Sequence, residues 1–148
     1  MMKHLFLTAA LTVGAALPAS AEMITVKTDK SVSEAMDALE AAVTGAGATV
    51  FARVDHRKGA DSVGMELDFA ETLIFGNPKL GTPAMQADIR ASLVLPLKVA
   101  AYSPPEGGVF FIYEDPAAMF DGLDVPADAK FVQMMTGALA KLTAKAAN

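Results

Sequence analysis

Cysteine is absent from the sequence, so the protein can form neither a disulfide nor a thiolate metal site. A chain of 148 residues can still bury a sizeable apolar core, and its stability must come from packing. Histidine is nearly absent too, since His56 is the only one after the first few residues. The D-x-D-x-D-G pattern of calcium loops is also missing. We therefore expect no metal and no cofactor.

An excess of positive charge is lacking as well. The 12 Lys and Arg residues are outnumbered by 17 Asp and Glu residues, which gives a formal net charge of −5 at pH 7. Contacts to phosphates need Lys and Arg, so nucleic acid is not expected as a partner. After the amino-terminal segment, Lys98 interrupts the longest apolar run. We expect no membrane span in the mature protein, because spanning helices need about 20 apolar residues.

The amino-terminal segment has the pattern of a signal peptide. Residues 1–4 include Lys3, residues 5–17 are mostly apolar, and Ala19-Ser20-Ala21 fits an A-x-A cleavage site. The apolar part is too short to span a bilayer, and no cysteine follows that could carry a lipid anchor. The sequence thus predicts a signal peptide over residues 1–21, cleavage after Ala21, and a single soluble domain over residues 22–148 that is periplasmic or secreted.

Alternating apolar residues bounded by turn residues predict five strands. These strands are Met23–Thr28, Thr49–Asp55, residues 72–75, Leu97–Tyr102 and Val109–Glu114. In the second strand we expect Val50, Ala52 and Val54 to share one face and Phe51 and Arg53 to share the other. The pattern of residues 63–69 does not distinguish a further strand from a helical turn.

Capping signals predict helices between and after these strands. They are a capping box at Ser31 and Glu34, Thr82 before a helix from Pro83, Asp115-Pro116 before a short helix, and Pro126 before the last helix. Strands and helices do not alternate regularly, which indicates an α+β fold of order β-α-β(4)-α. We expect a largely antiparallel sheet with two main helices packed on one face and short helices in the loops.

The segment over residues 71–85, ETLIFGNPKLGTPAM, combines a strand, a tight turn and a helix start. Gly76 and Gly81 have the spacing of a phosphate loop, but Thr82 and Pro83 stand where that loop needs a lysine and a hydroxyl. A nucleotide is therefore not expected as a ligand.

This segment belongs to a larger set of short motifs in the chain. The set comprises Asp55-His56, Gly64, Phe75-Gly76-Asn77-Pro78, Gly81-Thr82, Met85, Leu95-Pro96-Leu97-Lys98 and Tyr113-Glu114-Asp115-Pro116. It resembles the domain-of-unknown-function 302 family. The family often has an acidic residue before its Leu-Pro-Leu, where this chain has Val94. The resemblance implies a curved sheet that holds a helix in a TBP-like grip, and it implies no particular reaction.

The least ordinary polar residues follow two predicted strands, where functional groups often lie. His56 follows one strand, and Asn77, Lys79 and Thr82 follow another. Unpaired N–H groups at a helix start, with Lys79 nearby, can hold a carboxylate or a small oxyanion. We therefore predict that His56, Asn77, Lys79 and Thr82 bind a small anionic ligand. The alternatives are an ordinary capped turn and a purely structural His56.

Three hypotheses for function follow from these features. The first is a non-enzymatic binding module for a small ligand or a partner. The second is a homodimer, because the predicted hairpin Leu97–Glu114 is apolar on both faces and one face would need a cover. The third is an enzyme that uses His56 with a nearby carboxylate, although the sequence assigns no catalytic residue.

The intact mass of the protein recovered from its exported compartment tests the predicted cleavage. We expect native mass spectrometry to give the mass of residues 22–148, because small residues precede the predicted cut after Ala21. The same spectrum reports the oligomeric state and any bound molecule. A mass that includes residues 1–21 would show that the predicted cleavage is wrong.

Overall fold

The computed structural model describes residues 22–148, and the predicted signal peptide lies outside the described residues. The strands are β1 (Met23–Thr28), β2 (Thr49–Asp55), β3 (Ala70–Gly76), β4 (Leu97–Tyr102) and β5 (Val109–Glu114). The α-helices are α1 (Val32–Gly45), α2 (His56–Asp61), α3 (Pro78–Ala87), α4 (Pro116–Met119) and α5 (Lys130–Ala147). A 3-10 helix spans Ile89–Leu93. No helix within residues 22–148 has the length and apolar character needed to cross a bilayer.

The five strands form one antiparallel sheet in the order β1-β5-β4-β3-β2. The hairpin of β4 and β5 pairs Ala100 with Ile112 and Tyr102 with Phe110, as the apolar pattern predicted. Phe111 is buried on the helix side, while Phe110 and Ile112 lie on the opposite face. The α+β prediction is confirmed in strand number and in strand direction.

Helices α1 and α5 pack against each other on one face of the sheet. The capping box is present, since the Ser31 hydroxyl accepts from the Glu34 N–H and the Glu34 carboxylate accepts from the Ser31 N–H. The largest buried side chains of this layer are Phe75, Phe111, Met36, Leu39, Leu73, Met135 and Leu139. A hydrogen bond of 2.9 Å from the Thr28 hydroxyl to the Ala147 carbonyl joins the end of β1 to the last turn of α5.

A β-bulge in β2 changes which side chains face the helices. Val50 pairs with Phe75 and Ala52 pairs with Ile74, so Phe51 is an extra residue in the strand. The expectation that Val50, Ala52 and Val54 share one face is therefore wrong. Val50 is half-buried, whereas Ala52 and Val54 are exposed. Phe51, at the bulge, is 57% exposed.

Beyond the bulge, Arg53 faces α1 and connects three elements. Its Nε donates to the Glu71 carboxylate on β3 at 2.6 Å, and its Nη1 donates to the Asp37 carboxylate on α1 at 2.5 Å. Glu40, also on α1, lies 3.5 Å from the same Nη1. The Glu71 hydrogen bond is the main cause that raises the pKa of Arg53, which stays charged. Arg53 thus holds the edge strand β2 to its neighbouring strand and helix.

Three local features add to or differ from the sequence analysis. Residues 63–64 belong to a turn, and residues 65–69 are neither strand nor helix. The Asp55 carboxylate accepts from the Lys58 N–H and caps the short helix α2. The last helix begins at Lys130 and not at Pro126, because a turn closed by the Ala129 N–H on the Pro126 carbonyl precedes it.

Replacing Arg53 with glutamine should destabilise the protein. The variant Arg53→Gln leaves the carboxylates of Glu71 and Asp37 without their cation, so we expect the free energy of unfolding to fall by about 2 kcal/mol. Urea unfolding measures the change. Lys141→Gln, which removes an exposed charge on α5, is the matched control and should change stability by less than about 0.5 kcal/mol. Equal stability of the two variants would contradict the role of Arg53.

Candidate functional site

The exit of β3 leads directly into α3. Asn77 is the N-cap of this helix, because its Oδ1 accepts a hydrogen bond of 2.9 Å from the Lys79 N–H, and Pro78 occupies the first helical position. The prediction that Thr82 is the N-cap and Pro83 the first residue is therefore wrong. Asn77 and Pro78 provide the N-cap and the proline at the first helical position, five residues before Thr82 and Pro83. Pro83 lies inside the helix.

The N–H groups at this helix start are already in use. The Leu80 and Gly81 N–H groups both donate to the Asn77 carbonyl, at 2.9 Å and 3.0 Å, and the Lys79 N–H donates to the Asn77 side chain. These are the donors that a carboxylate or small oxyanion would need. At this helix start, the exposed side chain of Lys79 is therefore the only group left that supports a small anionic ligand.

A cavity of about 500 Å³ opens beside α3 at this end of the sheet. Its larger apolar side chains come from Phe51, Phe75, Leu80, Met85, Leu95, Leu97, Met135 and Leu142. Its walls also contain five small residues: Ala46, Ala48, Gly76, Gly81 and Ala138. Because small residues occupy the positions where α1, α3, α5 and β3 converge, the space between these elements stays unfilled.

Two glycines of the cavity wall face side chains of the same wall. A Cβ at Gly76 would lie 3.4 Å from Phe51 Cε2 and 3.6 Å from the Pro96 Cβ. A Cβ at Gly81 would lie 3.7 Å from Leu95 Cδ1. Side chains at either position would therefore extend into the cavity or reshape its wall.

The polar part of the cavity wall is small and uncharged. It includes the side chains of Asn77, Thr82 and Ser92, and no Asp, Glu, Lys or Arg side chain of residues 22–148. The structure thus brings together two of the four predicted site residues, Asn77 and Thr82. Lys79 lies on the same helix without lining the cavity. Ser92, on the 3-10 helix, was not predicted, because no local pattern marks a serine that packing brings to a cavity.

His56 lies at the other end of the sheet. Its Nε2 is 2.9 Å from the Thr72 hydroxyl on β3, and Asn77 lies five positions after Thr72 along the chain. At about 3.3 Å per strand residue, Thr72 and Asn77 are about 16 Å apart. The partner of His56 is thus a hydroxyl and not a carboxylate. Within residues 22–148, no three His, Asp or Glu side chains are placed to hold a metal.

Asp88 anchors the 3-10 helix that carries Ser92. Its buried carboxylate accepts hydrogen bonds from the Arg90 side chain, the nearest at 2.6 Å, and from the Asp124 N–H at 3.0 Å. These bonds, with the Arg90 side chain first, hold the pKa of Asp88 well below its ordinary value of 3.8. The ionised carboxylate therefore ties this wall of the cavity to the loop before α5.

Comparisons with known proteins agree with this architecture. The model of the family described as "Domain of unknown function DUF302" matches residues 24–145. A crystal structure of an uncharacterized conserved DUF302 protein from Bacillus stearothermophilus superposes with a TM-score of 0.75. The two sequences are 17% identical, and the match covers 84% of this chain and 97% of the Bacillus stearothermophilus chain. At that identity the likeness shows the shared fold.

Curated relatives are longer proteins. Two of them, from Brucella suis biovar 1 and Brucella abortus biovar 1, are both named "Fluoride-specific ion channel FluC 1". Each is 36% identical over 117 residues, which is 78% of this chain but 46% and 43% of the respective relative. The chain therefore spans less than half the length of the curated relatives it matches.

The anchor at Asp88 predicts a particular pH dependence. Because the folded pKa of Asp88 is lowered, its stabilising effect is present above its ordinary value of 3.8 and is lost as the pH falls toward the folded value. We expect the stability difference between the wild-type protein and Asp88→Asn to be largest above about pH 5 and to shrink below about pH 4. Urea unfolding at a series of pH values measures it. A difference that does not vary with pH would contradict the anchoring role.

Proposed function

Since the chain belongs to the domain-of-unknown-function 302 family, we propose that it is a non-enzymatic binding module whose ligand occupies the cavity beside α3. The observation that supports this proposal is the position of the family motif. Residues from several of its segments line this cavity: Phe75, Gly76, Asn77, Pro78, Gly81 and Thr82. Met85 and Leu95-Pro96-Leu97 lie there too, whereas Asp55-His56, Gly64 and Tyr113-Glu114-Asp115-Pro116 do not. A motif that served only as a turn would not need to bring the lining residues around one cavity.

The size and composition of the cavity favour a small, mainly apolar ligand. Binding pockets for small molecules usually enclose about 300–1,000 Å³ and combine apolar walls with a few polar groups. Protein interiors are otherwise densely packed, and unfilled apolar space lowers stability. An apolar ligand would restore the contacts that the small residues leave unmade.

Fluoride, the ion in the printed name of the Brucella relatives, is a poor fit to this cavity. A small hydrated anion loses its water on entry and needs N–H donors or cations in exchange. The cavity wall is mostly carbon, and the N–H groups at the start of α3 already have partners. We therefore propose no fluoride site in this cavity, and sodium fluoride is a negative control for ligand binding.

We also propose that the protein acts after export, in the periplasm or outside the cell. The support is the signal-peptide pattern of residues 1–21. The intact mass of the exported protein tests this part of the proposal. This part of the proposal does not depend on which ligand the cavity binds.

A homodimer is the second candidate function. The observation in its favour is that Phe110 and Ile112 lie on the face of the sheet opposite α1 and α5, where both are only half-buried. The Phe110 and Tyr102 rings, 5.8 Å apart, extend this apolar patch. A second copy of the chain would cover it. A monomer at micromolar concentration in the native mass spectrum would contradict this candidate.

The enzyme hypothesis has no comparable support. It needs a carboxylate beside His56, and the side chain of His56 instead contacts the Thr72 hydroxyl. The nearest acid in sequence, Asp55, uses its carboxylate to cap α2.

A pair of glycine variants tests the binding proposal. Gly81→Met puts a long side chain into the cavity, and Gly137→Met puts the same side chain on an open surface of α5. Both changes replace a helical glycine, so both should favour the folded state slightly. With Nile red as an apolar fluorescent probe, we expect Gly81→Met to bind at least about tenfold more weakly than the wild-type protein, and Gly137→Met to bind as the wild type does.

The control conditions separate cavity binding from surface binding. Sodium fluoride should leave Nile red fluorescence unchanged. Equal probe affinity in the two variants would place the probe outside the cavity and would overturn the proposal. So would an absence of probe binding to the wild-type protein.

A further inference from the structure

Three polar side chains of the cavity wall keep unused hydrogen-bonding groups. Asn77 Oδ1 accepts from the Lys79 N–H, which identifies Nδ2 as the group that remains available. Nδ2 of Asn77, the Thr82 hydroxyl and the Ser92 hydroxyl make no hydrogen bond to other described residues. All three residues line an otherwise apolar cavity, where Asn77 is half-buried and Thr82 and Ser92 are exposed. They are the groups that would fix the polar end of a ligand in this cavity.

These groups define the chemistry of that polar end. Asn77 Nδ2 is a donor only, and each hydroxyl is able to donate. We propose that the ligand is an uncharged molecule with an apolar body and one hydrogen-bond acceptor, such as an ester or ketone carbonyl. This inference rests on the proposed function, because it names the ligand class of the same cavity.

An anionic head group fits less well. An ionised carboxylate leaves water at a high cost unless a cation or several strong donors replace it. The cavity wall has no cationic side chain from residues 22–148, and the N–H groups of Lys79, Leu80 and Gly81 are engaged by Asn77. This differs from the small anionic ligand expected from sequence.

A cationic head group fits worst. An ammonium group needs several acceptors, and one of the two lone pairs of Asn77 Oδ1 already accepts from the Lys79 N–H. The other side-chain acceptors are two neutral hydroxyl oxygens, and no carboxylate of residues 22–148 lines the wall. Asn77 thus determines which head group the cavity prefers. The hydrogen bond from the Lys79 N–H to Oδ1 fixes the orientation of the amide, and Nδ2 is then the group that can donate to a ligand.

Three probes with equal apolar chains test the head-group preference. Methyl decanoate, decanoate and decylamine displace Nile red from the wild-type protein at neutral pH, and displacement gives their affinities. We expect methyl decanoate to bind at least about tenfold more tightly than decanoate, and decylamine to bind most weakly.

The variant Asn77→Asp tests the residue itself. Aspartate is an equally good N-cap, so the helix start is retained while the donor Nδ2 becomes a second carboxylate oxygen. We expect methyl decanoate affinity to fall about fivefold to tenfold, decanoate to fall further, and decylamine to improve. Gln86→Glu adds the same charge on an exposed part of α3 away from the cavity and should leave the order unchanged.

Each outcome has a separate meaning. No displacement by any probe, together with no effect of Gly81→Met, would overturn the proposed function. Tightest binding by decanoate would keep the cavity as a binding site and overturn the neutral head group. An unchanged order in Asn77→Asp would overturn the role of Asn77. If Asn77→Asp does not fold, the variant Ser92→Ala is used in its place. Unchanged affinity of Ser92→Ala for methyl decanoate would then overturn the proposal that these polar groups bind the ester.

Discussion

The burial of one face of the sheet beneath α1 and α5 is the constraint on which the rest of the structure depends. β1 and β2 lie at opposite edges of the sheet, so α1, which connects them, must cross it. α5 returns beside α1, and its end is tied to β1 by the hydrogen bond between Thr28 and Ala147. An antiparallel sheet can leave its second face without helices. That face carries Phe110, Ile112 and His56, and it is separate from the cavity.

The cavity is a consequence of how these layers end. α1 stops at Gly45, and small residues, Ala46 and Ala138, lie beside Met135 and Leu142 on the cavity wall where α3 approaches. β3 ends there in Gly76, and the bulge in β2 places Phe51 beside it. Asn77 then serves both architecture and chemistry. Its Oδ1 and carbonyl accept the hydrogen bonds that begin α3, and the residue also lines the cavity.

Much of the fold could be predicted from local patterns. β1, β2, β4 and β5 have the predicted bounds, because period-two alternation and turn residues are properties of short segments. The capping box at Ser31 was predicted for the same reason. Which side chains of β2 face the helices was not predicted. A one-residue bulge inverts the alternation, and whether the bulge forms depends on the contacts that β2 makes with β3 and α1. The start of α3 was also missed, since Asn77-Pro78 and Thr82-Pro83 carry the same local signal.

The sequence by itself determined the elements, the absence of disulfide cross-links, and the family motif around Asn77, since these depend on residue types and their spacing. Only the tertiary structure decided which residues meet. It placed His56 at the opposite end of β3 from Asn77, and it brought Ser92 to Asn77 and Thr82 around one cavity. The physical reason is that strand direction and helix packing set distances between segments, and a linear pattern of residues carries no such distances.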